Sequence, residues 1–273
     1  MKTIIVPVDF SPVSENAAVY AAALAKVVNA KIILVHCVAL PVSMADVPLP
    51  NNMLAEMTSE ADHSIVALRN KLIAHGGSQV QISTSVISGY VISELQAIAD
   101  EIEVFAVVMG CKGLGNSNLF MFGSTAIEAM QDLNCRVILV PEYVSYKPVH
   151  KIGLCSDMKD VNKVLPASAI SEMVRIFDSK LEILYVNTDG EDMPGNVLPE
   201  AKKLQSLLSG INPVFHFVDS DRIDIGVTMF VKNEQIDMLL VIPKKHGFLG
   251  AVFHKSISKE IAQHLQVPII ILH

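Results

Sequence analysis

The chain has 273 residues, 51% of them hydrophobic and 18% charged, and carries a formal net charge of −7. That length suits one large domain or two ordinary ones with well-buried cores, and an acidic balance without an offsetting basic cluster argues against a nucleic-acid surface. No apolar run reaches the roughly 18 residues of a membrane span, the opening MKTIIVPVDFS reads as a strand and not as a signal peptide, and the cysteines at 37, 111, 135 and 155 lack CxxC spacing. They read as reduced thiols of a cytosolic protein, with no disulfide framework and no metal site.

In chain order, residues 3–8 (TIIVPV) form a strand ending at Asp9. Ser11 suits a helix N-cap and Pro12 the first helical position of an alanine-rich segment running to Val28. Residues 31–38 (KIILVHCV) are a second strand, and 39–52, with three prolines and no period, read as a loop. Residues 53–75 carry Leu, Ile and Val at helical spacing, and Gly76-Gly77 closes them. Residues 80–87 alternate as a third strand, Gly89 turns the chain, and 90–101 are helical. Residues 104–109 form a fourth strand, 124–133 a helix, and 136–141 a fifth strand.

The second half repeats this order. Residues 151–156 form a strand ending at Asp157, as the first ends at Asp9. Residues 160–178 are helical, 180–187 a strand, and 197–209 a helix closed by Gly210. Then follow a strand at 213–218, a helix at 222–235, a strand at 238–242, a helix from Ser256 and a strand at 267–272. The segments GSTAIEAMQDLNCRVILV and KSISKEIAQHLQVPIIIL align without gaps, so the chain is an internal duplication joined by a linker at 142–150. Strands alternating with helices give a parallel sheet in each half.

The stretch from Val107 to Thr125 concentrates the chemistry. An apolar strand delivers the chain to Gly110, a polar loop with Gly113, Gly115 and Gly123 follows, and Ser124-Thr125 opens a helix. Glycines let a backbone approach a ligand closely, and a helix start offers unpaired N–H groups and a positive dipole end to an anion. The same glycines also suit a plain surface turn. A Walker A loop requires Lys where Gly123 stands, and a dinucleotide fingerprint requires GxGxxG after the first strand, so neither is present. What is present is Gly110, two residues, Gly113, nine residues, then Gly123-Ser124.

That spacing resembles the nucleotide-binding signature G-x2-G-x9-G-[ST] of the universal stress protein family. The opening IIVPVDFS, the strand LVHCV and the turn SGY resemble the family as well, and the resemblance extends over nearly the whole chain. It implies an α/β fold of two tandem Rossmann-like domains, each a five-stranded parallel sheet with helices on both faces. The domains would be 1–141, with the intact motif, and 150–273, with a degenerate one. By the same resemblance Asp9 would contact the adenine or ribose side of ATP or AMP, and Pro7, Val8 and Cys37 would form the base pocket. Met109, Gly110 and Gly113 would border the ribose and phosphates. Gly123, Ser124 and Thr125 would hold the phosphates, with or without Mg²⁺.

Each assignment has a plainer counterpart. Asp9 in DFSP also suits a local cap, Ser124 an N-cap, Cys111 a passive loop position, and His36 a satisfied strand histidine. Lys244, Lys245, His246, His254 and Lys255 form a small basic cluster that suits a solvated loop. In the second half Pro243 replaces the first glycine and Lys255 the last, and the loop is one residue shorter, so ATP is not expected there. The implied function is a cytoplasmic stress-response protein with an adenine nucleotide as regulatory ligand. No nucleic acid or membrane partner is expected. The same resemblance implies that strands 136–141 and 267–272 would pair within the chain as an internal pseudo-dimer, and homodimerisation is open. Two alternatives stand: a slow ATP hydrolase or adenylyl-transferring enzyme, with Asp9 and Lys112 as the available groups, and a nucleotide-free interaction module.

Overall fold

The computed structural model describes residues 1–38, 53–76, 79–111, 124–188, 194–242 and 267–272. These divide into two compact units, one over 1–146 and one over 147–272. The loop expected at 39–52, Gly77, Lys112, Gly113, Gly115, Gly123, the basic cluster and the helix expected from Ser256 lie outside the described residues.

In the first unit β1 (Thr3–Pro7), β2 (Lys31–Val38), β3 (Ile82–Ser88), β4 (Val104–Cys111) and β5 (Val137–Pro141) form a parallel sheet in the order β3-β2-β1-β4-β5. The central strands are continuous apolar runs because helices cover both faces. Ile4, Ile5, Val6 and every residue from Phe105 to Val108 are fully buried. The helices are α1 (Pro12–Val28), α2 (Met53–Ala74), α3 (Val91–Glu101) and α4 (Ser124–Asp132).

Helix α1 starts as its residues dictate. Ser11 has extended backbone and its side chain accepts from the Ser14 N–H, with Pro12 at the first helical position. The helix ends at Asn29, which takes a left-handed conformation (φ 50°). Its alanine face (Ala17, Ala18, Ala21, Ala25) is buried and lets the helix lie close to the sheet. Asn16 on α1 donates from Nδ2 to the carbonyls of Pro141 (3.2 Å) and Val144 (3.0 Å), and Tyr20 meets Tyr146 edge to face at 5.3 Å. The first residues of the linker segment 142–150 are thus tied back onto the first unit.

The second unit has β6 (Lys151–Cys155), β7 (Lys180–Asn187), β8 (Val214–Asp219), β9 (Met238–Val241) and β10 (Ile269–Ile271), all parallel, in the order β10-β9-β6-β7-β8. This is the order of the first unit again, so the duplication extends to topology. Its helices are α5 (Val161–Val164), α6 (Ala167–Phe177), α7 (Val197–Leu207) and α8 (Ile223–Asn233).

Three expectations are corrected. The single helix expected over 160–178 is two, because Pro166 has no N–H to give and forces Leu165 into extended backbone (φ −88°, ψ 119°). The helix from 197 is not closed by Gly210. It ends at Leu207, a 3₁₀ turn takes Ser209–Ile211, and Asn212 supplies the left-handed residue (φ 45°). Strand β4 does not stop at Met109 but continues through Gly110 and Cys111, which pair with Val140 and Pro141.

Asn16 holds two carbonyls from outside its own helix, so Asn16→Ala is expected to cost about 1 kcal/mol. In limited proteolysis, cleavage should rise within 142–150 while the rest of the unit stays protected.

Candidate functional site

Strand order in the first unit reverses between β1 and β4. β1 leads on to β2 on one side, and the chain returns to β4 on the other. The crevice outside the carboxyl ends of two such strands is where open α/β sheets bind ligands. Pro7 ends β1, Val8 is buried with its N–H donating to the Val35 carbonyl (2.8 Å), and exposed Asp9 follows. On the neighbouring strand, Met109 is buried and Gly110 sits near the end of β4.

Gly110 brings the two sides together. A Cβ there would lie 2.5 Å from the Val13 carbonyl oxygen and 2.7 Å from Val13 Cγ1. Val13 is in the first turn of α1, four residues after Asp9, so the end of β4 is pressed against the start of α1. Gly110 is required by this approach to a helix. It is not at positive φ, and it does not begin the loop as the sequence reading expected.

Asp9 is held by its own turn. Its Oδ1 accepts from the Ser11 N–H (3.0 Å) and the Ser11 hydroxyl (2.6 Å), and its N–H donates to Ser14 Oγ (3.3 Å). Partial burial acts to raise its pKa, but hydrogen bonds from the Ser11 and Ser14 side chains and the Ser11 N–H outweigh it and hold the carboxyl below its ordinary value. Asp9 is thus a turn residue just ahead of α1, whose N-cap is Ser11. The side chain stays exposed beside the crevice.

Phe10 then takes a left-handed conformation (φ 61°), unusual for a bulky residue. Its ring stacks on His36 at 4.5 Å. His36 Nδ1 lies 2.7 Å from the Val8 carbonyl, which can only accept, so Nδ1 carries the proton. His36 is therefore a satisfied strand histidine that clamps the turn. No sequence pattern announces Phe10 in this role.

Cys37, on the opposite side of β2, donates from Sγ to the Gly89 carbonyl (3.0 Å). Burial raises its thiol pKa. Gly89 has φ +150°, and a Cβ there would lie 2.7 Å from Glu94 Oε1, so this turn is fixed from both sides. Tyr90 follows and donates its hydroxyl to Glu128 Oε2 on α4. That helix begins at Ser124, exposed, and Thr125, half-buried. A chain of contacts thus leads from Cys37 through Gly89 and Tyr90 to the helix that Ser124 and Thr125 open. The sequence offers Tyr90 only as part of the turn SGY and carries no sign of its bond to Glu128, because the two are 38 residues apart.

Cys111 is not in a loop. It is buried in β4, and burial pushes its thiol pKa up to about 12, so it is neither exposed nor ionised at neutral pH. All four cysteines are free, and among the described residues no three His, Cys, Asp or Glu side chains group so as to hold a metal ion. No helix among the described residues is long and apolar enough to cross a membrane.

Residues 1–141 match the sequence model of the universal stress protein family. Solved structures resemble the chain over nearly its whole length. One is a universal stress protein from Archaeoglobus fulgidus DSM 4304, 15% identical, with a TM-score of 0.75 over 99% of this chain and 97% of that one. Another is a protein of unknown function from Pseudomonas aeruginosa PAO1, 11% identical, with a TM-score of 0.59 over 100% of this chain and 92% of that one. At these identities the likeness establishes the fold. No curated protein matches the sequence.

Two outcomes follow from the geometry. Gly110→Ala must displace the Val13 backbone, so it is expected to lower stability by about 1–3 kcal/mol in urea unfolding, with no ligand present. Asp9 has a folded-state pKa below its ordinary 3.8. Its contribution is therefore complete above 3.8 and is lost as pH falls through the folded value. Ser11→Ala should move the Asp9 midpoint, followed by carboxyl-carbon NMR, upward towards 3.8.

Proposed function

The chain belongs to the universal stress protein family, and from that membership we propose that its first unit binds an adenine nucleotide, ATP or AMP, as a regulatory ligand in the cytosol. What carries the reading is one coincidence. The residues at the reversal of strand order, Pro7 to Asp9 and Met109-Gly110, belong to the same unit as a helix opening on Ser124-Thr125. From Gly110 to Ser124 the sequence runs G-x2-G-x9-G-S.

The described residues fit such a ligand by chemistry. Val8, Met109 and the Cys37 side offer apolar surface for a base, and Asp9 offers an exposed acceptor for an amino or hydroxyl group. The start of α4 offers N–H groups and two hydroxyls for phosphates. By resemblance to the family signature, Gly113 would border the ribose and phosphates, and Gly123 would hold the phosphates together with Ser124 and Thr125.

A regulatory ligand is favoured over a substrate by the state of Asp9. A general base works best when its pKa lies near the working pH, and the Ser11 and Ser14 bonds move this carboxyl the other way. Slow hydrolysis therefore has no well-tuned base among the described residues of the crevice.

The second unit retains Asp157, whose Oδ1 accepts from the Lys159 N–H (3.3 Å) as Asp9 does from Ser11. The position equivalent to Val8 is Ser156, and that equivalent to Val38 is Asn187, so polar groups replace apolar ones. With Pro243 and Lys255 in its loop, this unit is assigned no ATP, and its role is structural or regulatory.

Thermal unfolding with and without ATP and Mg²⁺ tests the reading. At ligand about 100 times the dissociation constant, binding should add roughly 2.7 kcal/mol. The shift should vanish in Gly123→Lys, which copies the second half's residue. No shift in the wild type, with no nucleotide released on denaturation, would leave an interaction module as the better reading.

A further inference from the structure

We propose that Tyr90 is a positioning residue for the anionic end of the nucleotide, holding the Glu128 carboxylate away from the first turn of α4 so that Ser124 and Thr125 remain free for phosphate. This inference rests on the nucleotide reading above and assigns a role to two residues outside the family signature.

Glu128 stands four residues after Ser124, on the same face of α4 and one turn in from its start. Helical side chains lean towards the N-terminus, so an unheld Glu128 would reach back over that turn. It would be drawn there by the positive end of the helix dipole and by the first-turn donors. It would then act as a built-in anion, accepting the bonds a phosphate needs and repelling the phosphate charge. A carboxylate four residues into an anion-binding helix is a competitor unless something restrains it.

The restraint is the Tyr90 hydroxyl. A carboxylate can only accept, so Tyr90 donates to Glu128 Oε2. The hydrogen bond to Glu128 is also the leading reason the phenol holds its proton more tightly than an ordinary tyrosine, with Asp132 adding negative charge from one turn further along α4. Tyr90 is itself fixed. It directly follows Gly89, whose carbonyl takes the Cys37 thiol and where a Cβ would lie 2.7 Å from Glu94 Oε1. Tyr90 is 59% exposed, so its hydroxyl and ring contribute little to the core.

The test is calorimetric titration of the full chain with Mg-ATP and with adenosine, using wild type, Tyr90→Phe, Glu128→Gln and the double variant. Releasing Glu128 in Tyr90→Phe should weaken ATP about three- to fivefold, the size of a charge effect at a helix end. Adenosine, which has no phosphate, should bind as to wild type. Glu128→Gln should bind ATP at least as tightly as wild type, and adding Tyr90→Phe to it should change nothing further. Unchanged ATP affinity in Tyr90→Phe would overturn the proposal while leaving the nucleotide reading intact. Equal losses for ATP and adenosine, or a further loss in the Glu128→Gln background, would overturn it too, since either marks a merely structural role. A wild type that binds neither ligand would overturn the nucleotide reading itself, and this proposal with it.

Discussion

The first unit depends on how closely the end of β4 comes to the start of α1. With the Val13 carbonyl 2.5 Å from where a Cβ of residue 110 would be, no side chain fits there. Gly110 thereby sets the depth at which α1 lies on the sheet. Because the helix start is fixed, the turn that precedes it is fixed too, and Asp9 stands beside the end of β4. The glycine shapes the crevice through its contact with Val13. It makes two strand ends and one helix start share a place, which the order β3-β2-β1-β4-β5 alone does not achieve.

The second unit separates what this turn owes to the fold from what it owes to chemistry. Phe10 and Met158, each one residue past the aspartate, both take left-handed backbone, φ 61° and 50°. Each such residue costs on the order of 1–2 kcal/mol in an L-amino acid, so the conformation persists because the surroundings impose it. The first unit offsets it by stacking Phe10 on His36, and the second by burying Met158 completely. Asp9 and Asp157 make the same bond to the N–H two residues on. The aspartate is thus a turn residue in both units, and the ligand contact proposed for the first would be an added use of a group the fold already holds.

What the sequence made legible follows the range of the interactions involved. Periodicity and caps located most of the described elements within a residue or two, β2, β7 and the Ser11-Pro12 start of α1 among them, because those signals lie within one turn of the chain. The extension of β4 through Cys111 was missed because glycine reads locally as a loop, and only Val140, Pro141 and Val13, all distant in sequence, show otherwise. Pro166 is legible in the sequence as a helix break, with which a single helix over 160–178 is incompatible. The Tyr90–Glu128 bond and the Phe10–His36 stack join residues 38 and 26 apart, with no motif to connect them. The glycines of the loop were legible only as a spacing, and residues 112–123 lie outside the described chain.

The interior of the second unit shows how far the halves have diverged once their backbones agree. By strand register, Thr3, Ile33 and Ser85 of the first unit correspond to Lys151, Glu182 and His216 of the second. Glu182 is 4% exposed and takes the His216 ring nitrogen at 2.8 Å and Lys151 Nζ at 3.7 Å. Lys151 Nζ also donates to the Glu234 carbonyl (2.8 Å), just past the end of α8. Taking charges out of water is costly, and a network this well bonded offsets that cost without making it a source of stability. An apolar trio would serve the core as well, as a largely uncharged one does in the first unit. The charged network, like Ser156 and Asn187 near the crevice, has therefore diverged within a backbone that kept its strand order, its aspartate turn and its left-handed residue. In this chain the duplicated geometry is constrained by packing, and the chemistry placed on it is free to differ.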